Sequence, residues 1–475
     1  MAEPPLAVPP HSYMQKRDLE KIHDYLWEIP RAHRPDMRVP ARVYASERML
    51  DAIVQDRSLE QLVNVATLPG IRKYAIAMPD VHEGYGFPIG GVAAIDASDG
   101  VISPGGIGYD INCGVRLLRS EKVFADVEPV LARLAHSIAR EVPSGVGRGG
   151  SVRLKGRDLD LVLRDGARRA VEMGYGDEDD LRHIESGGRL DDADPAVVSA
   201  NARERGHDQL GTIGSGNHFV EIDRVDTIFD AEEAERFGLV PDGIVVQIHT
   251  GSRGLGHQVA TDSLRVMTKT MAAHRITVPD RELACAPLRS AEGREYLQAM
   301  SAAANFAFAN RQLITAGIRR AWKHEVADDA IRIIYDVAHN VAKVERYPGV
   351  GEVVVHRKGA TRAFPGQPVL IPGSMGTASY LLAGSVGAME QSFGSSCHGA
   401  GRRMSRTKAR HEINPDELRA RLRSLGIIAE AGSSKGLVEE APEAYKDIDE
   451  VIDVVARAGI AKKVARFKPV AVIKG

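Results

Sequence analysis

The chain has 475 residues, and its 62 lysines and arginines nearly balance its 64 aspartates and glutamates, which leaves a net charge of −2. This balance excludes a uniformly basic nucleic-acid-binding protein, so any contact with nucleic acid has to use a local patch. Three cysteines are too few for a disulfide framework, and the sequence has neither a signal peptide nor an apolar run of membrane-spanning length, so we predict a cytoplasmic protein.

The predicted elements indicate a mixed protein of helices and strands. Residues 1–12 are rich in proline, and we expect them to be loose. Leu, Ile, Val and Ala recur at helical spacing in five regions, which predicts helices at 15–29, 46–67, 296–346, 415–425 and 440–458. Strand-like runs that end in glycine loops are found at 74–120, 209–221, 243–258 and 352–404, and a last strand is predicted in FKPVAVIKG.

Residues 144–208 interrupt this pattern. They contain the glycine-rich GVGRGG and the acidic stretch GDEDDLRHIESGGRLDDAD, which we interpret as a solvated face of a polar insertion or subdomain. The overall prediction is an α+β fold with an N-terminal extension and helix at 1–40 and one large mixed α/β domain at 41–475. The glycine-rich loops between its strands would form a central cleft.

Several potential metal ligands stand beside glycine, asparagine or serine. Imidazole, thiolate and carboxylate groups together suit a first-row transition metal. The candidates, of which His82 is the weakest, are Asp110, Cys113, His218, His249, His339 and His82. We expect His249 where a strand meets a glycine loop and His339 on a helix. No compact CxxC or HExxH pattern is present, so these histidines could also be ordinary hydrogen-bonded residues, and Cys113 a catalytic thiol or a plain buried residue.

The loop GSSCHGAGR at 394–402 consists mostly of small residues, whose backbone N–H groups can hold phosphate oxygens. His398 in such a loop could attack phosphorus. Two alternatives remain open. Cys397 could be the nucleophile with His398 as its base, although adjacent residues of an extended segment point to opposite faces, or the loop could be a structural turn.

Two further glycine loops, at 210–218 and 372–379, match neither the P-loop nor the dinucleotide-binding pattern. A nucleotide site is therefore compatible with the sequence, but neither standard nucleotide-binding fold is indicated. Several basic residues follow the same loops. They would line a groove for an anionic polymer or form a solvated face, and they are Arg357, Lys358, Arg362, Arg402, Arg403, Arg406 and Lys408.

Eight motifs together resemble the motif series of the RtcB family of RNA ligases, which act on 3′-phosphate and 5′-hydroxyl ends. In chain order they are PDVHEGYGFPIGG, GGIGYDINCGVR, GSGNHFVE, HTGSRGLGH, AHN, HRKGATRAFPG, PGSMGTASY and SSCHGAGR. The resemblance covers 78–474, and it implies that 41–475 is a catalytic domain of the RtcB type with a central metal and nucleotide cleft.

The resemblance implies a centre of two manganese ions, bridged by Cys113, whose ligands are Asp110, Cys113, His218, His249 and His339. Because a thiolate is a soft ligand, affinity alone would favour zinc. The implied nucleophile is His398, which would take GMP from GTP as a covalent His–GMP intermediate and pass it to an RNA 3′-phosphate. Attack by a 5′-hydroxyl would then join the RNAs, and a 2′,3′-cyclic phosphate would first be hydrolysed to the 3′-phosphate.

The resemblance also implies a guanylate pocket and phosphate contacts. Glu221 suits the guanine edge, because a carboxylate accepts hydrogen bonds from N1–H and the N2 amine. The implied GTP contacts are Asn217, Phe219, Glu221, Asn340, Pro372, Gly373, Ser374, Met375, Ser379, Gly399, Ala400, Gly401, Tyr445 and Lys474. RNA or phosphate contacts are expected from Arg253, Arg357, Lys358 and Arg402, and Asp80 and His82 are expected close to the metals.

The implied function is RNA ligation in tRNA splicing or RNA repair, by a monomer that an archease-type activator could assist. One alternative is a dinuclear metal-dependent phosphoesterase, which would share the metal ligands but would need no guanine pocket. Another is a non-catalytic RNA-binding protein, against which the near-zero net charge weighs.

Overall fold

The computed structural model of the protein describes residues 14–145, 149–328 and 330–475. The proline-rich segment 1–12 and the middle of GVGRGG lie outside these ranges. The α-helices are, in chain order, α1 (Glu47–Ile53), α2 (Ser58–Val65), α3 (Phe124–Val127), α4 (Leu131–Glu141), α5 (Arg157–Asp165), α6 (Ala167–Glu172), α7 (Glu178–Arg182), α8 (Ala200–Gly206), α9 (Ala231–Arg236), α10 (Arg253–Thr270), α11 (Ala291–Val326), α12 (Val386–Gln391), α13 (Arg406–Glu412), α14 (Pro415–Ser424), α15 (Ser434–Glu439) and α16 (Ile448–Arg457).

The strands are β1 (Glu20–His23), β2 (Leu26–Ile29), β3 (Ala41–Tyr44), β4 (Ile71–His82), β5 (Ile89–Asp96), β6 (Val101–Ile102), β7 (Gly114–Val123), β8 (Phe219–Ile228), β9 (Gly243–Thr250), β10 (Ala286–Pro287), β11 (Arg332–Ala338), β12 (Asn340–Tyr347), β13 (Gly351–Lys358), β14 (Ala360–Arg362), β15 (Pro368–Ile371), β16 (Ser379–Gly384), β17 (Ser395–Cys397), β18 (Ile428–Ala431) and β19 (Ala461–Lys474). The predicted mixture of helices and strands in one large domain is confirmed.

Two large sheets organise the described part of the chain. The first has seven strands in the order β1-β2-β3-β4-β5-β13-β12. The second runs β11-β7-β9-β8-β19-β16-β15, with β18 added in parallel to β19. The chain passes from the second sheet to the first between β11 and β12, so a single residue, His339, stands at the crossover.

Helix α11 is the central helix of the fold. Its Ala-rich sequence favours a helix, its Ser290 N-cap accepts a hydrogen bond from the backbone N–H of Gly293, and most of its 36 residues are buried. A helix that is apolar on nearly every side is expected inside a protein rather than at its surface. It packs against α4, α5, α6 and α10. Segment 144–208 therefore contributes apolar residues to the core beneath its polar face, as Leu163 and Ala170 show.

Three helix predictions are wrong in part. Residues 15–29 form a short 3-10 turn and then the β1–β2 hairpin, and β2 pairs with β3 across the predicted boundary at residue 40. Apolar runs this short fit a helix or a strand equally, so the pairing partner decides. Region 296–346 contains all but the first turn of α11 and then β11 and β12, where β-branched residues become frequent. The predicted helix at 440–458 begins only at Ile448.

Among the described helices, none has the length and apolarity required to cross a bilayer.

Candidate active site

The strand register of the second sheet brings the candidate metal ligands together. Gly114, the residue after Cys113, lies opposite Thr250, and His249 lies opposite Phe219, the residue after His218. At the same end of these strands Ala338 lies opposite Gly114, which places His339 beside Cys113. Four segments that are far apart in the sequence therefore meet at one end of neighbouring strands. The prediction that His339 lies on a helix is wrong, because it connects two strands of different sheets.

Two groups of ligand atoms share the Cys113 thiol. The first group is Asp110, Cys113 and His218, and the second is Cys113, His249 and His339, with all ligand atoms of a group within 4.8 Å of one another. Cys113 Sγ lies 3.4 Å from His218 Nε2 and 3.3 Å from His249 Nε2. His218 Nε2 lies 2.8 Å from Asp110 Oδ2, and His249 Nε2 lies 3.3 Å from His339 Nε2. The arrangement matches two neighbouring ion sites with one bridging thiolate.

The chemistry of these groups fits divalent cations. Burial lowers the pKa of His249 and His339 well below the ordinary value, so both are neutral imidazoles, the form that binds metals. Burial opposes the ionisation of Asp110, but the adjacent His218 outweighs it and lowers the pKa of the carboxyl to about 2. Burial raises the pKa of the Cys113 thiol, so its thiolate requires a neighbouring cation. Asp110 Oδ1 is buried without a hydrogen-bond partner within the described ranges, which is consistent with a ligand oxygen.

His398 lies beside the second ligand group. Its ring centroid is 4.8 Å from that of His339, and its Nδ1 lies 2.6 Å from Oδ2 of the fully buried Asp80. The same oxygen accepts the backbone N–H of His398 at 3.0 Å. Because the carboxylate holds Nδ1, the nitrogen left for chemistry is Nε2. Asp80 is expected close to the metals, and the structure places it on His398, which lies beside the second ligand group.

Two glycines permit the close contacts of this site. Gly401 has a φ of +76°, and a Cβ at this position would lie 2.2 Å from the carbonyl oxygen of Asp80. A Cβ on Gly251 would lie 2.3 Å from Asp110 Oδ1. Any larger residue at these positions would push apart the His398 loop and strand β4, or the Asp110 carboxylate and the end of β9.

A cavity of about 600 Å³ opens beside the ligands, a volume within the usual range for small-molecule sites. Every residue predicted to contact GTP lines it except Ser379. The side chain of Ser379 is buried behind the lining, and its Oγ accepts a hydrogen bond from Gly373 N at 3.0 Å. Ser379 therefore shapes the loop that lines the cavity. The lining also includes Asp110, Cys113, His249, His339 and His398.

One end of the cavity carries a buried carboxylate and a buried cation. Burial and the neighbouring Asp223 raise the pKa of Glu221 well above its usual value, so this carboxyl requires donors to stabilise its charge. Lys474 Nζ lies 5.5 Å from the ring centroid of Phe219. Lys474 lies opposite Phe219 in the pairing of β19 with β8, which is why a residue next to the end of the sequence is held at the site.

The four predicted phosphate contacts have different environments. Lys358 and Arg402 line the cavity, and Arg253 lines an adjoining cavity of about 810 Å³. Lys358 Nζ donates to the carbonyl of Tyr85 at 2.6 Å, and burial lowers its pKa to about 7. Arg357 contradicts the prediction, since it is fully buried and pairs with Glu345 at 2.7 Å. Adjacent residues of β13 face opposite sides, so Arg357 supports the fold while its neighbour faces the cavity.

Cys397 also has a structural environment. It is fully buried in the core next to β4, burial raises the pKa of its thiol well above the usual value, and the thiol therefore stays protonated. This contradicts the alternative in which Cys397 is the nucleophile.

The sequence reasoning missed Glu440 as a member of the site. Glu440 lines the cavity and accepts hydrogen bonds from Arg402 at 3.1 Å, from Arg406 at 3.0 Å and from the hydroxyl of Tyr445. Glu440 is buried, whereas the two other acids of the segment LVEEAPEAY, Glu439 and Glu443, are half-buried, and no local pattern distinguishes it from them. Only its partners Arg402, at the end of the loop 394–402, and Arg406, shortly after it, could have pointed to it.

Comparison with known proteins covers nearly the whole chain. A family model described as tRNA-splicing ligase RtcB matches residues 61–475, a range that includes every candidate site residue. The chain is 53% identical to a tRNA-splicing ligase RtcB of Thermococcus kodakarensis over 477 residues, which cover 96% of this chain and 99% of that protein. A protein of the same description from Archaeoglobus fulgidus is 50% identical over 477 residues, with 96% and 99% covered. The RNA-splicing ligase RtcB of Mycobacterium bovis is 50% identical over 434 residues, 87% of this chain and 100% of that protein.

Proposed function

Because the chain belongs to the RtcB family of RNA ligases, we propose that it joins RNA 3′-phosphate or 2′,3′-cyclic phosphate ends to 5′-hydroxyl ends with consumption of GTP and with two Mn²⁺ ions. The observation that carries this proposal is the position of His398, which shares one cavity with Glu221 and with four of the five candidate metal ligands, Asp110, Cys113, His249 and His339. A nucleophile, a charge-neutralising centre and a carboxylate for a base are thereby within reach of one nucleotide.

The metal-dependent part of the proposal rests on the two ligand groups. Asp110, Cys113 and His218 would hold one ion, and Cys113, His249 and His339 would hold the other. Bound Mn²⁺ would neutralise the charge of phosphate oxygens, which is the main requirement of phosphoryl transfer.

His398 supplies the nucleophile. The Asp80 carboxylate would accept a hydrogen bond from Nδ1–H, which keeps the proton on Nδ1 and the lone pair on Nε2. Nε2 attacks the α-phosphorus of GTP, the bond from that phosphorus to the bridging oxygen breaks, and pyrophosphate leaves. The product is GMP bonded to His398 through a phosphorus–nitrogen bond.

The remaining steps regenerate the histidine. An oxygen of the RNA 3′-phosphate attacks the phosphorus of the bound GMP, and the bond to Nε2 breaks, so the RNA end is activated by GMP. The 5′-hydroxyl oxygen of the second RNA then attacks the 3′-phosphate, its proton is lost, and GMP leaves. A 2′,3′-cyclic phosphate enters this sequence after hydrolysis to the 3′-phosphate. Lys358 and Arg402 would bind the phosphate groups.

Guanine selectivity is assigned to Glu221. Burial and the adjacent Asp223 disfavour the charge of this carboxyl, and the N1–H and N2 amine of guanine would supply two donors that stabilise it. Phe219 and Tyr445 line the same cavity and offer aromatic faces to a base. Adenine has no pair of donors at this edge, so the pocket would select GTP.

The biological setting is also proposed by family membership. The relatives are described as tRNA-splicing or RNA-splicing ligases, and we propose tRNA halves and broken RNAs as substrates. A monomeric, cytoplasmic protein and assistance by an archease-type activator remain predictions of the sequence.

The test is incubation with α-labelled GTP and Mn²⁺, followed by denaturing electrophoresis. We expect an acid-labile label on the wild type and none on His398→Ala. The matched control is His274→Ala, which removes a half-buried histidine that pairs with Glu292 away from the cavity and should keep the label. Active RNA joining without any label on the wild type would contradict the covalent mechanism, and hydrolysis of phosphate esters without joining would favour the phosphoesterase.

A further inference from the structure

We propose that Arg311 is the positioning residue of the dinuclear metal centre, because it fastens three ligand-bearing segments to one another from helix α11. This inference rests on the metal dependence in the proposed function. Arg311 is fully buried and is absent from the lining of the cavity, so it acts through the residues that it holds rather than on the substrate.

The guanidinium contacts two of these segments directly. Its Nη1 donates to the carbonyl oxygens of Asn112 at 2.8 Å and of Thr250 at 2.9 Å. Asn112 directly precedes the ligand Cys113, and Thr250 directly follows the ligand His249. One nitrogen therefore fixes the distance between the Asp110–Cys113 turn and the end of strand β9.

The third segment is fastened through Asp336 of β11, three residues before the ligand His339. Arg311 Nε lies 2.9 Å from Asp336 Oδ2, and Arg311 Nη2 lies 2.9 Å from Asp336 Oδ1. Arg116 Nε also contacts Asp336, at 2.8 Å, and all three charged groups are fully buried. Breaking any contact of such a buried network would leave a desolvated charge without a partner, which is costly in free energy. The three side chains therefore keep fixed positions relative to one another.

Asn112, which lies between the ligands Asp110 and Cys113, is held by hydrogen bonds from several segments. Its φ is +52°, in the left-handed region that asparagine adopts more readily than most other non-glycine residues. Its N–H donates to Asn340 O at 2.7 Å and its Nδ2 donates to Ala304 O at 2.6 Å. Arg311 completes the set by donating from Nη2 to Asn112 Oδ1 at 3.2 Å. Tertiary contacts therefore hold the turn that aims both ligands.

The planar fork of arginine is essential to this role. Arg311 makes bonds to two carbonyls, one amide and one carboxylate at fixed angles, and the compact ammonium of lysine cannot reproduce this geometry. Arg311→Lys therefore keeps the buried charge and removes the geometric constraint.

The test measures metal binding without any RNA or GTP. The full chain is stripped of metal and titrated with Co²⁺, and the thiolate-to-Co²⁺ absorption gives affinity and stoichiometry. We expect two ions on the wild type and a 10- to 100-fold loss of affinity in Arg311→Lys, the usual effect of losing a group that orients metal ligands. The matched control is Arg319→Lys on the same helix, which pairs with Asp180 at 2.7 Å and contacts no ligand segment in the described structure, and its affinity should change less than twofold.

Wild-type Co²⁺ affinity in Arg311→Lys, an equal loss in Arg319→Lys, or no Co²⁺ binding by the wild type would overturn the proposal. If Arg311→Lys does not fold, Asp336→Asn replaces it, because this change preserves the side-chain shape and weakens the hold on Arg311. A 10-fold weaker Co²⁺ affinity of Asp336→Asn would support the clamp, and an unchanged affinity would overturn it. A wild type that binds two Co²⁺ ions and takes no GMP label would contradict the proposed reaction instead, while the Co²⁺ comparison would still decide the role of Arg311.

Discussion

Asp80 Oδ2 lies 2.6 Å from Nδ1 of His398 and 3.0 Å from the backbone nitrogen of the same residue, so one carboxylate oxygen holds both the ring and the loop of the nucleophile. The two residues are 318 positions apart in the sequence. The Asp80 segment is itself held by Lys446, whose Nζ donates to the carbonyl of Pro79 at 3.2 Å and to that of Val81. The orientation of His398 therefore depends on β4, a strand of the seven-stranded sheet.

Replacing Asp80 by asparagine is expected to slow formation of the labelled histidine by about 10²- to 10⁴-fold. An asparagine amide that donates to Nδ1 would move the ring proton to Nε2, the nitrogen that has to attack. The rate of label incorporation from α-labelled GTP measures this effect. Asp449→Asn, which removes an exposed carboxylate bonded to Tyr380, is the control, and a rate of Asp80→Asn equal to that of this control would refute the role of Asp80.

Replacing Cys113 by alanine is expected to remove the shared ligand of both ion sites and to abolish guanylylation. Metal analysis after dialysis should show about two ions on the wild type and a clear loss in the variant. Cys285→Ala is the matched control, because this thiol is equally buried but lies in an apolar cluster. Full metal content and full labelling in Cys113→Ala would show that the ligand set is wrong.

Replacing Glu221 by glutamine is expected to weaken GTP binding about 10- to 100-fold, because a hydrogen bond to a charged group is lost and an amide donor faces the guanine donors. Titration with GTP and with ITP, which lacks the N2 amine, tests the contact directly. The wild type should prefer GTP, and this preference should shrink in the variant. Glu60→Gln changes a partly exposed carboxylate of α2 as a control, and an undiminished preference in Glu221→Gln would exclude Glu221 as the guanine contact.

His356 is expected to make the fold sensitive to acid. It is buried, its Nε2 accepts a hydrogen bond from Ser103 N at 3.2 Å, and burial lowers its pKa to about 4. Because the folded state holds the proton more weakly than the unfolded state, the contribution of neutral His356 to the free energy of unfolding is fully present above about pH 6.5. It is lost as the pH falls from there through 4, and the total loss is up to about 3 kcal/mol.

Urea unfolding of the wild type and of His356→Gln at pH 7 and pH 4.5 measures this contribution. Glutamine keeps an acceptor near Ser103 without a titrating group, so the variant should lose less free energy of unfolding between the two pH values. Equal losses in both proteins would show that protonation of His356 does not contribute to acid unfolding.

Local patterns predicted some elements and failed at others for identifiable reasons. Long periodic segments such as α11 were predicted, because helical spacing over many residues is distinctive. The hairpin at 20–29 was predicted as a helix, since its apolar residues are few and its pairing with β3 is invisible in the local sequence. His339 was placed on a helix for the same reason, because the crossover between two sheets is a property of pairing.

The sequence by itself determined which reactive groups this protein has and, through the motif series, its family. The resemblance to that family implies candidate ligands, a candidate nucleophile and a guanylate pocket. Only the tertiary structure decided how these groups are held. The register of β7, β8, β9 and β11 brings the ligands to one point, Asp80 orients His398, and Arg311 fastens the ligand segments. It also separated Arg357 from Lys358, whose charges are the same but whose faces of β13 are opposite. The physical reason is that residue type sets chemistry, whereas distance and burial arise from contacts between segments that are far apart in the chain.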